Sequence, residues 1–506
     1  MDENGVCRGT LNKLKNLQHL GGLILTDKDT NLTMLVDFYK LTMANGYFEH
    51  GMQDQIACFD LFFRRVPDHG GFAIMAGLEQ LIDYLEKLSF TKADITYLRK
   101  RGIFSEGFLN YLENFKFTCD VFAIPEGTPI FPGEPIVTVR GPIIQVQFIE
   151  TIALLYINHQ SLIATKANRI VRAAKGRSVI EMGSRRAQGS DGAVLGARAA
   201  YIGGTDGSSC TIADSLYGVP ALGTMAHSWV QSFDSEYEAF EKYAQLYPNN
   251  CVLLVDTYDT LKSGIPNAIR IFTELIVPNG HAPGAIRIDS GDAAYLSKKA
   301  RKMLDAAGLT ETKIIISNSL DEYTIKDLLI QQAPIDGFGV GERLITSKTE
   351  PVFGGVYKLV ATEVDGVMTP KIKISNNPEK VTTPGFKQVY RLFGKAKNKA
   401  IADVITLFDE EINDNEPYTI FDPNHTWKRK KLTNFYAVKL LEPIFEKGKL
   451  VYQKPTIQEI RAYSNNEVEK LWEEILRFEK PHKFYVDLSQ KLWDLKHSLL
   501  KKHTKG

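Results

Sequence analysis

Between about residues 148 and 349 one pattern repeats six times: a short apolar run, a polar turn, then a longer amphipathic segment. The runs cover residues 178–182, 221–226, 252–255, 285–288, 313–316 and 335–340, and helix candidates at 235–246, 260–277 and 293–307 lie between them. A helix-like stretch from 148 to about 174 precedes the series. Runs this short suit strands, and the segments between them are long enough for the crossover that parallel neighbours need. The repeat predicts a parallel sheet with helices packed on it, either closed into a barrel or open and doubly wound.

The flanks read differently. Residues 1–30 are polar and are expected to form a loosely held arm. Helix patterns follow at 33–43 and 78–88, and strand candidates at 121–125 and 135–140 are punctuated by Pro and Gly. After Glu350 strand character returns: 356–364 and 367–374 flank Asp365-Gly366, a hairpin turn signal, and 387–392 and 402–407 follow. The N-terminal and post-350 strands are therefore expected to form one discontinuous α/β sandwich domain, 31–147 with 350–455, interrupted by the α/β unit at 148–349. Residues 456–506 read as a helical extension, with Val468, Leu471, Ile475 and Phe478 on one face and Leu488, Leu492, Leu495 and Leu499 on another. A chain of 506 residues is long enough for this division.

Charge and cysteine content narrow the function classes. Lys and Arg total 61 against 60 Asp and Glu, a net charge of +1, which argues against a nucleic-acid coat while leaving room for a local anion site. Five cysteines, Cys7, Cys58, Cys119, Cys210 and Cys251, contain no C-x-x-C pair and suit neither a disulfide framework nor a zinc site. The sequence opens Met1-Asp2-Glu3-Asn4 without a basic stretch and apolar block, and no apolar run approaches the roughly 18 residues of a membrane span. A cytoplasmic protein that binds neither membrane nor nucleic acid is expected.

In a sheet of this kind the strand ends open on one face, where functional groups gather. The first run ends in Gly183-Ser184-Arg185-Arg186, the second in His227-Ser228-Trp229, and the third in Asp256-Thr257-Tyr258-Asp259. The fourth contains Arg287 and ends in Asp289-Ser290-Gly291-Asp292; the fifth ends in Ser317-Asn318-Ser319, and the sixth in Gly339-Val340-Gly341-Glu342-Arg343. Taken singly, each has a plain structural reading: surface ion pairs for Arg185-Arg186, a packed histidine for His227, a helix cap for Asp289-Ser290-Gly291-Asp292. Together they suit a phosphorylated substrate with a divalent cation. Arginine forks match phosphate or carboxylate, glycines let backbone N–H groups approach phosphate oxygens, and carboxylates hold Mg²⁺ through water or balance a developing sugar cation.

At these residues the chain resembles the nicotinate phosphoribosyltransferases, relatives of nicotinamide phosphoribosyltransferase, from about Leu32 to Leu407. The tracts that carry the resemblance are Gly183-Ser184-Arg185-Arg186-Ala187-Gln188-Gly189, Gly223-Thr224-Met225-Ala226-His227-Ser228, Leu254-Val255-Asp256-Thr257-Tyr258-Asp259-Thr260 and Arg287-Ile288-Asp289-Ser290-Gly291-Asp292. The resemblance implies an incomplete α/β barrel attached to an α/β sandwich, and a homodimer with active sites at the interface. It implies that nicotinate and phosphoribosyl pyrophosphate are joined with Mg²⁺, and that ATP is a co-substrate. By the same resemblance His227 is the histidine that ATP phosphorylates, and Tyr39 stacks on the pyridine of the partner subunit's site. Arg185 lies beside the nicotinate ring, Arg64 and Arg287 bind phosphoribosyl pyrophosphate or the base, and Asp206 is a carboxylate near the base. Asp289 faces the ribose, and Gly339 and Gly341 lie by the 5′-phosphate.

Two positions depart from the family. Met182 stands where relatives often have Phe, replacing a ring contact with a thioether, and Glu342 stands where many have Thr. The arginine pair favours nicotinate over the neutral amide, because a site built for a carboxylate leaves a charge unpaired when the amide binds. The alternatives are a nicotinamide phosphoribosyltransferase, a quinolinate phosphoribosyltransferase (which would need neither His227 nor ATP), a Mg²⁺-dependent phosphatase, and a catalytically idle nucleotide-binding relative.

Overall fold

In the computed structural model, which describes residues 31–504, six parallel strands run through the middle of the chain. They are β1 (Ser178–Glu181), β2 (Gly207–Ser208), β3 (Val252–Leu254), β4 (Ala285–Ile288), β5 (Lys313–Ser317) and β6 (Gly337–Val340). Across the sheet they lie in the order β2-β1-β6-β5-β4-β3. That is chain order read around a ring: β1 pairs with β6, and only the seam between β2 and β3 is unpaired. All pairings are parallel, so all six C-terminal ends open on one face. The residues expected as an arm, 1–30, lie outside the described residues, as does Cys7; Cys58, Cys119, Cys210 and Cys251 are buried free thiols.

The second strand is not the apolar run expected at 221–226. Gly207–Ser208 takes that place, and the expected run touches the sheet through the single bridge from Ala221 to Ser208. The hydrogen bonds explain the exchange. Ser208 N–H donates to Pro220 O at 3.0 Å, Leu222 N–H donates to Ser208 O at 2.8 Å, and the buried Ser208 hydroxyl donates to Glu181 Oε2 at 2.5 Å. Two small, polar-satisfied residues make a strand that apolar patterning does not register. Residues 222–226 then leave the sheet and carry the chain to the short helix His227–Gln231.

The third crossover was expected as one helix over 260–277. It is helical throughout, but Ile265–Ile271 is flanked by two widened turns, with Gly264 N–H bonding Asp259 O and Val277 N–H bonding Phe272 O, each five residues back. Pro266 at the start of the regular segment lacks an N–H, which removes a normal helical donor there.

A seven-stranded antiparallel sheet joins both flanks. Its order is 367–370, 356–364, 56–62, 137–142, 120–123, 442–446, 449–450, so strand Ile56–Phe62 lies between Val356–Val364 and Val137–Pro142. The hairpin at Asp365-Gly366 forms with both φ values positive, 52° and 77°, the backbone that such a two-residue turn demands. A second sheet orders Phe435–Lys439, Lys387–Gly394, Lys399–Leu407 and Val486–Leu488. One apolar core fills the parallel unit and another fills the N-terminal part and its sheet.

Two helix expectations shift. The pattern at 33–43 becomes a turn followed by helix Phe38–Glu49, because Asn31 Oδ1 accepts the Thr33 N–H at 2.8 Å and holds the start in a turn. At the C-terminal end, helices Ile457–Glu469 and Gln490–Thr504 form, but Leu471 and Ile475 are buried from irregular chain between them. The run of apolar residues at helical spacing therefore marks a buried connection as much as a helix face.

Candidate active site

The mouth of the parallel sheet is organised by Arg287, which projects from β4. Its Nε donates to Ser317 Oγ at 2.9 Å, Nη1 to Thr224 Oγ1 at 3.1 Å and Met225 O at 3.4 Å, and Nη2 to Asp289 Oδ1 at 3.1 Å. Ser317 also donates a short hydrogen bond to the same Asp289 oxygen. One guanidinium thus ties the ends of β4 and β5 to the 222–226 segment. Its planar fork is what allows several fixed acceptors at once.

His227 stands beside this group. Ala226 brings the chain in extended, and His227 opens its short helix with no side-chain cap. Its Nδ1 lies 3.1 Å from Thr257 Oγ1, while Nε2 is 3.9 Å from Asp289 Oδ2 and 4.0 Å from Asp256 Oδ1. The imidazole side chain is 39% exposed, so a solvent-borne ligand reaches it. Asp256 is buried, and its Oδ2 accepts the Asp289 N–H at 3.0 Å and the Ser290 hydroxyl at 2.6 Å. At the end of β5, Asn318 and Ser319 hold positive φ values of 112° and 51°, an arrangement uncommon outside glycine and often stored at functional sites.

The wall opposite is made by β1 and β6. Glu181 ends β1 and accepts from Gly183 N–H and from Ser208; burial raises its pKa, with those two hydrogen bonds opposing. Arg185 and Arg186 sit exposed on the tight turn Ser184–Arg186. Gly183 packs so closely that an added Cβ would meet Gly341 O at 2.7 Å, and one at Gly339 would meet Met182 Sδ at 2.6 Å. Glu342 has a lowered pKa, first through its hydrogen bond from Lys348, with the charges of Arg186 and Arg343 adding. The arginine turn and the glycine segment are therefore one surface.

His227, Arg287, Asp289, Arg185, Gly339 and Gly341 all belong to this face. Asp206 does not. It lies at the opposite end of the sheet, where Oδ2 accepts from Ser178 Oγ at 2.8 Å and Val179 N–H at 3.2 Å, and Oδ1 accepts from Arg461 at 3.0 Å. Its partners are the first residues of β1, so it secures the start of that strand. Tyr39 and Arg64 come from the N-terminal part and have no hydrogen bond or ion pair to the mouth residues. Tyr39 is 50% exposed, close to the other exposed apolar residues Leu35, Phe38 and Met43. Arg64 Nε donates to Glu379 O at 3.2 Å and belongs to a cationic cluster. There Lys358 is held below the usual lysine range by burial first, then by Lys373, Lys40 and Arg64, while Glu150 opposes.

Thr224, Thr257, Ser317 and Asp256 complete the site; the sequence placed them at strand ends or in the tracts shared with the family but assigned none of them a role. Among the described residues no group of three or more His, Cys, Asp or Glu is placed to hold a metal by itself. Asp289, with its side chain 33% exposed, is a carboxylate able to reach through water an ion already carried by phosphate oxygens. No helix among the described residues is long and apolar enough to cross a membrane.

Comparison with known proteins gives one answer along the chain. Residues 34–158 match the nicotinate phosphoribosyltransferase N-terminal domain, 178–400 the nicotinate phosphoribosyltransferase family, and 386–496 its C-terminal domain. Nicotinate phosphoribosyltransferase of Bacillus subtilis is 48% identical over 469 residues, covering 93% of this chain and 95% of that protein. The Homo sapiens protein of the same name is 31% identical over 523 residues, covering 92% and 96%. The crystal structure of human nicotinic acid phosphoribosyltransferase superposes with a TM-score of 0.80 at 29% identity, over 92% of this chain and 100% of that one. A nicotinate-nucleotide pyrophosphorylase from Pyrococcus furiosus, at TM-score 0.68 and 23% identity, shares the fold.

Proposed function

The chain belongs to the nicotinate phosphoribosyltransferase family, and from that premise we propose that it joins nicotinate to phosphoribosyl pyrophosphate in NAD salvage, with ATP hydrolysis coupled through a phosphohistidine at His227. The observation that carries this reading is the grouping of Arg287, Asp289 and His227 at the strand ends, tied by the hydrogen bonds around Arg287.

In the transfer step the pyridine nitrogen attacks C1 of the ribose while the bond from C1 to the pyrophosphate oxygen breaks, with inversion through an oxocarbenium-like transition state. Asp289 faces the developing positive charge, and Arg287 faces the departing phosphates and keeps Asp289 in place. Magnesium travels with the phosphates as part of the substrates. The exposed fork of Arg185 meets the nicotinate carboxylate, and the open backbone at Gly339 and Gly341 receives the 5′-phosphate. No protein nucleophile attacks the sugar; positioning supplies much of the rate.

ATP acts separately. The γ-phosphoryl passes to an imidazole nitrogen of His227, the bond to the ADP oxygen breaks, and the imidazole proton leaves to solvent; water later releases phosphate. The phosphohistidine brings roughly two negative charges beside Asp256 and Asp289, which reorders the mouth electrostatically. The working unit is a cytoplasmic homodimer in which Tyr39 and the Arg64 cluster serve the partner's site. The exposed apolar group of Leu35, Phe38, Tyr39 and Met43 supports that assignment.

Turnover with ATP tests the coupling. ADP and nicotinate mononucleotide are expected in equal amounts, and His227→Ala is expected to abolish ADP formation while leaving slow transfer. ATP hydrolysis undiminished in His227→Ala would remove the phosphohistidine from the scheme.

A further inference from the structure

Asp256 is the group at the mouth whose hydrogen bonding is left half complete. Its side chain is 1% exposed. One oxygen, Oδ2, is saturated by the Asp289 N–H and the Ser290 hydroxyl. The other, Oδ1, is buried with no hydrogen-bond partner, and the ionisable nitrogen facing it is His227 Nε2 at 4.0 Å. Arg287 directs its forks to Asp289, Ser317, Thr224 and Met225 and gives none to Asp256. A buried carboxylate oxygen without a donor is costly, so a state of the site that supplies one is favoured.

His227 is placed to make that change. Thr257 holds the ring at Nδ1, and Nε2 stands almost equally far from Asp256 and Asp289, at 4.0 Å and 3.9 Å. A small ring rotation brings Nε2 within hydrogen-bond reach of one carboxylate or the other. Phosphorylation at Nε2 takes that donor from both carboxylates and sets a dianionic group beside them, so the surroundings of Asp256 Oδ1 change with the loading of His227.

We propose that Asp256 is a positioning residue that relays the phosphorylation state of His227 to the Asp289–Ser290 turn. Through Oδ1 it senses the imidazole, and through Oδ2 it holds the backbone N–H of the residue that faces the ribose. Loading of His227 is thereby tied to the placement of Asp289 and, through Arg287 and Ser317, to the rest of the mouth. The inference rests on the reading that ATP phosphorylates His227, and it adds the group that makes the two half-reactions interdependent.

The experiment compares wild type, Asp256→Asn and Ser290→Ala in the full-length protein. Each is assayed for acid-labile, alkali-stable label from γ-labelled ATP, for ADP formed per nicotinate mononucleotide, and for kcat and nicotinate KM. Asp256→Asn keeps the shape and an oxygen for the Asp289 N–H but removes the charge that faces His227. It is expected still to take up label, while ADP per product rises about fivefold or more and kcat falls with KM nearly unchanged. Ser290→Ala, an exposed position, is expected to move the ratio in the same direction by less, and serves as the second reading if Asp256→Asn folds poorly. An ADP-to-product ratio equal to wild type in both variants, with both activities scaled down together, overturns the relay while the phosphohistidine stands. Absence of label in wild type overturns both.

Discussion

Arg287 donates to four acceptors drawn from three separate stretches of chain. A lysine there keeps the charge but presents a single point, so Arg287→Lys is expected to lower kcat/KM by about 10²-fold or more with little change in thermal stability, as steady-state kinetics and a melting curve would show. Asp487 gives a prediction of another kind. Burial first, then the Asp422 carboxylate, pushes its pKa up to about 7. An acid whose folded pKa is raised binds its proton more readily when folded, so its contribution to stability is present at low pH. That contribution is lost as pH rises from the ordinary carboxylate range of about 4 through about 7. Asp487→Asn is therefore expected to melt higher than wild type at pH 8 and to match it near pH 4; the opposite trend would show that Asp487 is ionised and well paired. At this scale the sequence was most informative where a residue type carries its chemistry with it, as for His227, Arg287 and Asp289. Asp206 shows the limit: the type fits a binding site, but two hydrogen bonds at the start of β1 place it at the far end of the sheet.

The elements that shape the mouth are β1 and β6, which approach closely because two glycines let them. An added Cβ at Gly183 meets the rigid Gly341 carbonyl and the Ile345 Cβ, both at 2.7 Å, whereas one at Gly339 meets the end of the Met182 side chain at 2.6 Å and Ser317 Cβ at 3.2 Å. Gly183→Ala is expected to cost about 1–3 kcal/mol in a denaturant titration. Gly339→Ala is expected to cost less stability than Gly183→Ala and to raise the KM for the base, since Met182 shifts and Ser317 has only to give slightly. Equal stability losses in the two variants would contradict this division. Five of the six parallel strands were legible because apolar runs between amphipathic segments have one economical fold. The second was misplaced because Gly207–Ser208 satisfies the sheet with backbone and hydroxyl groups, leaving no apolar period to read. The buried but irregular Leu471 and Ile475 mislead for the converse reason: burial alone, without a helix, also spaces apolar residues.

Over the whole molecule, strands from before and after the parallel unit share one sheet, so the chain leaves Val137–Pro142 and returns at Val356–Val364 to pair on either side of Ile56–Phe62. The Asp365-Gly366 turn and the return of strand character after residue 350 made that interleaving readable. The role proposed for Tyr39 at a partner's mouth was not readable from periodicity, since its half-exposed ring meets the Lys40 ammonium and no mouth residue. Subunit exchange tests it: mixing His227→Ala with Tyr39→Ala protein, each nearly inactive, is expected to restore activity, because a mixed dimer holds one site with both residues intact. No recovery after verified exchange would place Tyr39 outside the shared site.

Transfer of a phosphoribosyl group to nicotinate is read directly from the products of turnover. The protein with Mg²⁺, ATP, phosphoribosyl pyrophosphate and equimolar nicotinate and nicotinamide would be allowed to turn over, and the mononucleotides identified by mass. The exposed arginine turn at Ser184–Arg186 predicts nicotinate mononucleotide as the dominant product, whereas dominant nicotinamide mononucleotide, or no mononucleotide from folded protein, would contradict the account.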